Sequence, residues 1–381
     1  MENIKYIGVN DHEIDLFEGQ YKVPNGMSYN SYAIIDSCVA IMDSVDLRFK
    51  DKWLENIENV LGGIEPSYLV VHHVEPDHSG SIVAFMEKYE NAKIVAGQRA
   101  LGMIKAFYGD GYENRCVVIK ENDTLSLGKR ELRFFSAPMV HWPEVMVSYL
   151  SEDKVLFSAD GFGKFGALDI EDEWACEARR YYFGIVGKYG AQVQALLKKL
   201  SGLEIDAICP LHGPVLRENL GYYLDLYNTW SSYKPEKEGV LIAYTSVYGN
   251  TERAVMILKD MLLDNGLYEV STCDLAREDM HEAIEDAFKY DRLVLATTTY
   301  NGDIFPFMRE FINHLTERNY QNRRVAFIEN GSWAPVASKI MKSMLEGCKN
   351  LTILDTGVTI MSSINREDLQ SIKALARELC K

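Results

Sequence analysis

Hydrophobic and polar positions divide the chain into two differently patterned parts. From residue 240 onward, short apolar runs alternate regularly with amphipathic stretches. Val240–Tyr244, Tyr268–Cys273, Leu293–Thr298, Arg324–Ile328 and Thr352–Val358 read as buried strands. Thr251–Asn265, Asp279–Phe288, Phe307–Glu317, Ala337–Leu345 and Arg366–Leu379 carry apolar residues at helical spacing. Strands joined by crossover helices predict a parallel, doubly wound sheet of five strands. The part before it is less regular. Ser31–Asp36 and Cys38–Asp43, joined at Ser37, predict an antiparallel pair. Ser67–Val71, Lys93–Ala96, Cys116–Ile119, Leu132–Phe135, Val147–Leu150, Val155–Ser158 and Ile205–Cys209 predict further strands, with helices at Lys52–Leu61, Ile82–Tyr89 and Trp174–Leu200. That is a mixed, layered α/β arrangement whose strand order the pattern leaves open. The seam is Ser231–Gly239, which is polar and charged and carries Pro and Gly. The expected domains are residues 1–237 and 238–381, both of class α/β.

Composition narrows the function. A length of 381 residues suits two domains, and 47% hydrophobic with 25% charged residues is globular usage. Acidic residues outnumber basic ones 56 to 40, for a net charge of −16. That balance argues against non-specific binding to nucleic acid or to an anionic membrane. The opening MENIKYIGVNDHEIDLFEG shows no signal-peptide pattern, and no apolar run approaches the roughly 18 residues of a membrane span. The seven cysteines are widely spaced, with no C-x-x-C pair. A disulfide framework, a built-in rubredoxin-type or zinc-ribbon site and a cysteine-ligated iron–sulfur cluster are therefore not expected. The cytoplasm is the expected compartment.

The segment Val70–Gly80 places His73, Glu75, Asp77 and His78 within six residues, after an apolar strand and before an apolar helix. In extended geometry, positions i, i+2 and i+4 share one side, and Pro76 is expected to keep the segment from turning helical. Three further ligand-type residues follow apolar runs: His141, Asp160 and His212. Strand ends give such residues rigid support at the rim of a sheet. A lone histidine is more often structural than ligating, and His12, His281 and His314 are read that way. His72 falls on the face opposite His73 and is read as structural or as a support for the ligands. Convergence of four imidazoles and three carboxylates is harder to explain by packing. They suffice for two divalent ions, with Asp160 as the natural bridge. Trp142 and Glu144 flank His141 as candidates for shaping the pocket or moving protons.

A second constellation follows the strand Val240–Tyr244. Thr245, Ser246, Val247, Tyr248, Gly249, Asn250 and Thr251 lead directly into a helix. Hydroxyls and backbone N–H groups at a helix N-terminus cradle a phosphate. The loop lacks the G-x-G-x-x-G and Walker-lysine signatures of dinucleotides and triphosphates. A mononucleotide phosphate held without a basic residue resembles the way flavodoxins hold FMN. Two more loops after later strands carry Thr298, Thr299, Tyr300, Asn301 and Gly302, and Asn330, Gly331, Ser332 and Trp333. All three lie where a parallel sheet opens its ligand crevice. Tyr300 and Trp333 are the candidates to flank a flavin ring.

The order H-x-E-x-D-H followed by His141, Asp160 and His212 resembles the metallo-β-lactamase-like fold. Hydrolases of that fold carry histidine where this chain has Glu75, and a carboxylate there shifts preference from zinc towards iron. With the second part included, nearly the whole chain resembles the flavodiiron proteins (A-type flavoproteins). The resemblance implies an N-terminal αββα sandwich and a C-terminal flavodoxin-like domain. It further implies reduction of dioxygen to water, nitric oxide to nitrous oxide, or both, at a non-haem diiron site. Electrons would pass through FMN from an external rubredoxin or a reduced deazaflavin coenzyme. Position by position, one iron would take His73, Glu75 and His141 and the other Asp77, His78 and His212, bridged by Asp160. His78 is placed in some members outside the ligand shell. A head-to-tail homodimer, or a dimer of such dimers, is also implied. Two other readings compete. A zinc hydrolase with a flavodoxin-like docking module is opposed by Glu75 and the flavin loops. A non-catalytic diiron sensor of oxygen or nitric oxide would need no built-in electron relay.

Overall fold

Alternation along the central strands of the first part explains its two cores. Ala40, Met42, Val70 and Val95 bury one face, while Ile41, Leu69, Val71, Ile94 and Ala96 bury the other. In the computed structural model, which describes residues 2–381, the first face meets a second sheet. Leu132, Phe134, Met146, Leu150, Val155 and Phe157 of that sheet complete the shared core. The opposite face is covered by helices that contribute Trp53, Ile57, Leu61, Ile82 and Phe85. A fully buried aromatic ring removes about 150–250 Å² from water. At ~25 cal/mol per Å² each is worth roughly 4–6 kcal/mol before entropy is charged against it.

The first sheet runs Ile4–Tyr6, Tyr32–Ile34, Ala40–Met42, Tyr68–Val70, Lys93–Gly97 and Cys116–Ile119 in spatial order. The second runs Thr124–Ser126, Glu131–Ser136, Met146–Leu150, Val155–Phe157 and Ala207–Cys209. The architecture is a metallo-β-lactamase-like αββα sandwich. Tyr32–Ile34 and Ala40–Met42 pair antiparallel, as the pattern predicts.

Two expectations in this part need correction. Trp174–Leu200 is not one helix: Trp174–Tyr181 and Gly190–Leu200 are α-helical, separated by a π-helical turn at Tyr182–Val186 and a 3₁₀ turn at Gly187–Tyr189. A distant side chain packs against the break. The Tyr21 ring lies so close that a Cβ on Gly184 would meet it at 2.9 Å, and its hydroxyl donates to the Gly184 carbonyl at 2.8 Å. Pro76 does not prevent a helix but starts one, at the first position of the short turn Pro76–Ser79. A proline there forfeits only an N–H that the helix leaves unbonded. The helices Gln98–Tyr108 and Leu220–Ser231 and the short strands between Ile4 and Tyr29 went unread.

The second unit, Thr229–Lys381, carries a parallel sheet in the order Val270–Asp274, Lys237–Tyr244, Tyr290–Tyr300, Arg324–Asn330 and a last strand. That last strand is broken into Thr352–Ile353 and Val358–Ile360. Each predicted helix is present, Arg366–Leu379 with the predicted bounds and an Asn365 capping box. This is the flavodoxin-like doubly wound fold, and it leaves the C-terminal strand ends free to carry loops. The first unit ends at Asn228, and only 232–236 separate the helix Leu220–Ser231 from the strand Lys237–Tyr244. Within the second unit, the buried Arg323 guanidinium ties this connection down, donating to the carbonyls of Tyr233 at 2.7 Å and Gln321 at 3.0 Å, and to that of Phe288.

Candidate metal centre and flavin cleft

The seven predicted metal-site residues converge at one edge of the sandwich. His73 follows the strand Tyr68–Val70, Asp160 follows Val155–Phe157 and His212 follows Ala207–Cys209. His141 sits in the turn between Glu131–Ser136 and Met146–Leu150. Asp77 comes off the helical turn, not off an extended segment as the sequence geometry predicts, and His78 lies at that same turn. Gly80 lets that turn pack: a Cβ there would meet the Pro76 carbonyl at 2.6 Å and the Leu47 nitrogen at 2.8 Å. Ser44 holds the turn through both its nitrogen and its hydroxyl, which donate to the His78 carbonyl at 2.9 and 2.8 Å.

Donor atoms gather in two groups, His73, Glu75, His141 and Asp160 in one and Asp77, His78 and His212 in the other. In the first, Glu75 Oε2 lies 3.1 Å from His73 Nε2 and 3.0 Å from His141 Nε2. In the second, Asp77 Oδ2 lies 3.3 Å from the Nε2 atoms of both His78 and His212, which are themselves 3.0 Å apart. Asp160 faces both. Its Oδ2 is 3.0 Å from His141 and 3.4 Å from His73, and its Oδ1 is 3.1 Å from His78. Among these, Asp77 and Asp160 have both oxygens buried without a hydrogen-bond partner. Buried carboxylates are normally paired or bound to metal, and the nitrogen and oxygen set suits iron.

The charges at this edge are strongly coupled. Burial raises the Asp160 carboxyl, but His73 and His78 outweigh it and hold the carboxyl well below the usual range. Against desolvation, Asp160 and Glu75 push His141 up to about 9. Cations are what the cluster calls for, whether protons or metal ions. The outer contacts are fixed too. His73 Nδ1 lies 2.8 Å from Glu144 Oε1, and His212 Nδ1 lies 2.7 Å from the Ser28 carbonyl. His72 is structural: Nδ1 reaches Asp43 Oδ2 at 2.5 Å and Nε2 reaches Ser148 Oγ at 2.8 Å, all three being buried. Trp142 presses edge-on against His73, ring centroids 5.2 Å apart. One neighbour was missed in the sequence. Glu18 occupies a left-handed turn at φ 48, and desolvation together with the Glu75 charge pushes its carboxyl up to about 7. Only the fold brings it there.

In the second unit a cleft of ≈ 640 Å³ opens over the strand ends. Of the sixteen residues expected there, fourteen line it. Thr245 and Gly249 do not. Thr245 turns inward to Thr297 Oγ1 at 2.6 Å, and Gly249, at φ +84, makes the left-handed turn that starts the helix Asn250–Asp264. Ala334, next after Trp333 in the third predicted loop, lines the cleft too, and Ser362 lines it unforeseen. Every lining residue is uncharged. Thr251 Oγ1 and Thr298 Oγ1 are buried there without partners. Tyr248 and Trp333 stand 93% and 80% exposed at the mouth. An uncharged cleft with orphaned hydroxyls at a helix N-terminus fits a flavin mononucleotide.

Comparison with known proteins agrees in both halves. The model of the ODP family beta lactamase matches residues 27–213, and that of the flavodoxin domain matches residues 241–358. A nitric oxide reductase of Moorella thermoacetica is 30% identical over 389 residues, covering 99% of this chain and 96% of the relative. The solved flavodiiron protein of Giardia intestinalis superposes with a TM-score of 0.91 at 27% identity, covering 100% of this chain and 96% of that one. The chain belongs to the flavodiiron protein family. Its cofactors are those of the flavodiiron family, FMN and a non-haem iron pair. The fold match extends to the rubredoxin:oxygen oxidoreductase of Desulfovibrio gigas, with a TM-score of 0.92 at 24% identity over 100% of this chain and 96% of that one. Among the described residues no helix is long and apolar enough to cross a membrane.

Proposed function

We propose that this chain reduces nitric oxide to nitrous oxide, dioxygen to water, or both, as a cytoplasmic reductase. The observation that carries the reading is Asp160, whose two buried oxygens face two separate donor groups. His73, Glu75 and His141 would hold one iron, Asp77, His78 and His212 the other, with Asp160 between them. Two nitric oxide molecules need two electrons and two protons to give nitrous oxide and water; dioxygen needs four of each to give two waters. Bound in their sites, the iron pair and FMN supply two electrons each, which covers either reaction. Asp160 and Glu75 concentrate negative charge where the metals sit, favouring the ferric state, and Trp142 restrains the His73 ring.

The flavin cleft contributes binding without charge. Thr251, Asn250 and Ser246 would offer hydroxyl, amide and N–H groups to the phosphate, and Tyr300 and Trp333 would flank the ring. The electron donor is a rubredoxin-type protein, for which a reduced deazaflavin coenzyme is the alternative. Exposure of Tyr248 and Trp333 at the cleft mouth supports a covering surface. In the proposed head-to-tail homodimer that surface is the partner's metal edge.

The test is elemental and optical. Purified protein loaded with iron and flavin should hold two irons and one FMN per chain. Reduced rubredoxin should bleach its flavin, and nitric oxide or dioxygen should restore the colour. Zinc in place of iron, or a flavin that rubredoxin leaves oxidised, would overturn the proposal.

A further inference from the structure

The four metal-facing imidazoles differ in what stands behind them. His212 Nδ1 donates to a neutral backbone carbonyl, that of Ser28. His78 Nδ1 is buried with no hydrogen-bond partner. Of the four, only His73 meets a carboxylate through Nδ1, that of Glu144 at 2.8 Å. The same oxygen accepts from the Val74 nitrogen at 3.0 Å, so one atom fixes the ring and the backbone beside it. Glu144 is only 5% exposed, and its Oε2 is buried without a partner. It also lines a cavity of ≈ 240 Å³ together with Arg99, Lys120 and Glu121.

We infer that Glu144 is a positioning residue that keeps the His73 Nε2 lone pair aimed at the donor cluster and makes the His73 metal position the more electron-rich of the two. The inference rests on the ligand assignment proposed above. An imidazole whose N–H is held by a carboxylate has one fixed tautomer and a more basic second nitrogen. The His73 position therefore has Glu75 in contact and Glu144 behind. The other has Asp77 in contact, a carbonyl behind His212 and no hydrogen-bond partner behind His78. Asp160 is common to both. With iron bound, the position with less negative charge, held by Asp77, His78 and His212, would be the more easily reduced, and the one held by His73 and backed by Glu144 would be the harder to reduce.

Glu144→Gln tests this, because the amide keeps the size and an acceptor oxygen while removing the charge. Protein loaded with ⁵⁷Fe should give two unequal ferric Mössbauer doublets, which draw together in E144Q as the second reduction midpoint, that of the His73 position, moves positive. Glu144→Ala, which removes the acceptor as well, should weaken one of two stepwise cobalt(II) affinities of the iron-free protein by about 10–100-fold and leave the other unchanged. Identical doublets and midpoint in a fully loaded E144Q, or equal weakening of both cobalt steps in E144A, would overturn the inference. Should E144Q load poorly, the cobalt titration alone decides. A wild-type protein that never holds two metals would instead sink the ligand assignment itself.

Discussion

Replacing Asp160 by asparagine probes the point where the two donor groups join. The carboxylate is buried, with imidazole nitrogens at 3.0, 3.1 and 3.4 Å from its two oxygens. The amide keeps the volume but loses the charge, and its NH₂ turns a donor towards one metal position. Removing one partner from a buried charged network costs about 3–5 kcal/mol. At roughly 1.4 kcal/mol per tenfold, that weakens metal binding by on the order of 10² to 10⁴. The position that meets the NH₂ also drops from four protein ligands to three. Iron per chain, measured by plasma mass spectrometry after desalting, should fall from two towards zero. Flavin absorbance should stay at one FMN per chain, because the cleft is built wholly from the second unit. D160N protein that keeps two irons through the same desalting would refute the bridging role.

Other outcomes follow from the same geometry. Glu75→His should lower iron occupancy in favour of zinc and slow gas reduction, with FMN still bound; wild-type iron and full turnover would show that Glu75 is no ligand. Thr251→Val combined with Thr298→Val removes two orphaned hydroxyls, each worth about 0.5–1.5 kcal/mol as a hydrogen bond. FMN affinity, read by fluorescence quenching, should drop roughly 5- to 150-fold, and an unchanged affinity would place the flavin elsewhere. In the iron-free protein the raised His141 stabilises the fold fully below its ordinary value of about 6.5, and that contribution is lost as pH rises through about 9. The melting temperature of iron-free protein should therefore fall on the alkaline side. Iron retention should show the opposite trend, weakening as pH falls, because protons compete for the same nitrogens.

The metal residues were legible because His73, His141, Asp160 and His212 each follow an apolar run and Glu75, Asp77 and His78 cluster beside the first of them, signals that short windows preserve. Their geometry was less so. Asp77 was assigned to an extended array because proline biases the residue before it, yet Pro76 itself opens a helical turn, and both effects are local. Gly184, Gly187 and Gly190 mark the break in Trp174–Leu200 locally, but the Tyr21 ring packed on Gly184 comes from more than 150 residues away, which no periodicity can carry. Thr245 and Ser362 show the same limit in the cleft. Thr245 shares a loop with real lining residues but turns inward to Thr297, whereas Ser362 lies beyond the fifth strand in a segment without glycine. Glu18 and the His73–Glu144 contact depend on chain segments meeting across the sheet edge. Fold class, domain order and donor types are properties of local patterns; contact partners are properties of the packed molecule.

The central claim is that these two sites together reduce a diatomic gas. Its most direct test is an anaerobic cell holding iron- and FMN-loaded protein, reduced rubredoxin and its reductase, with electrodes for nitric oxide and dioxygen. The account predicts steady, protein-dependent loss of at least one gas, with nitrous oxide as the product from nitric oxide and no peroxide from dioxygen. If neither gas is consumed by fully loaded protein whose flavin rubredoxin reduces, the reductase account is wrong.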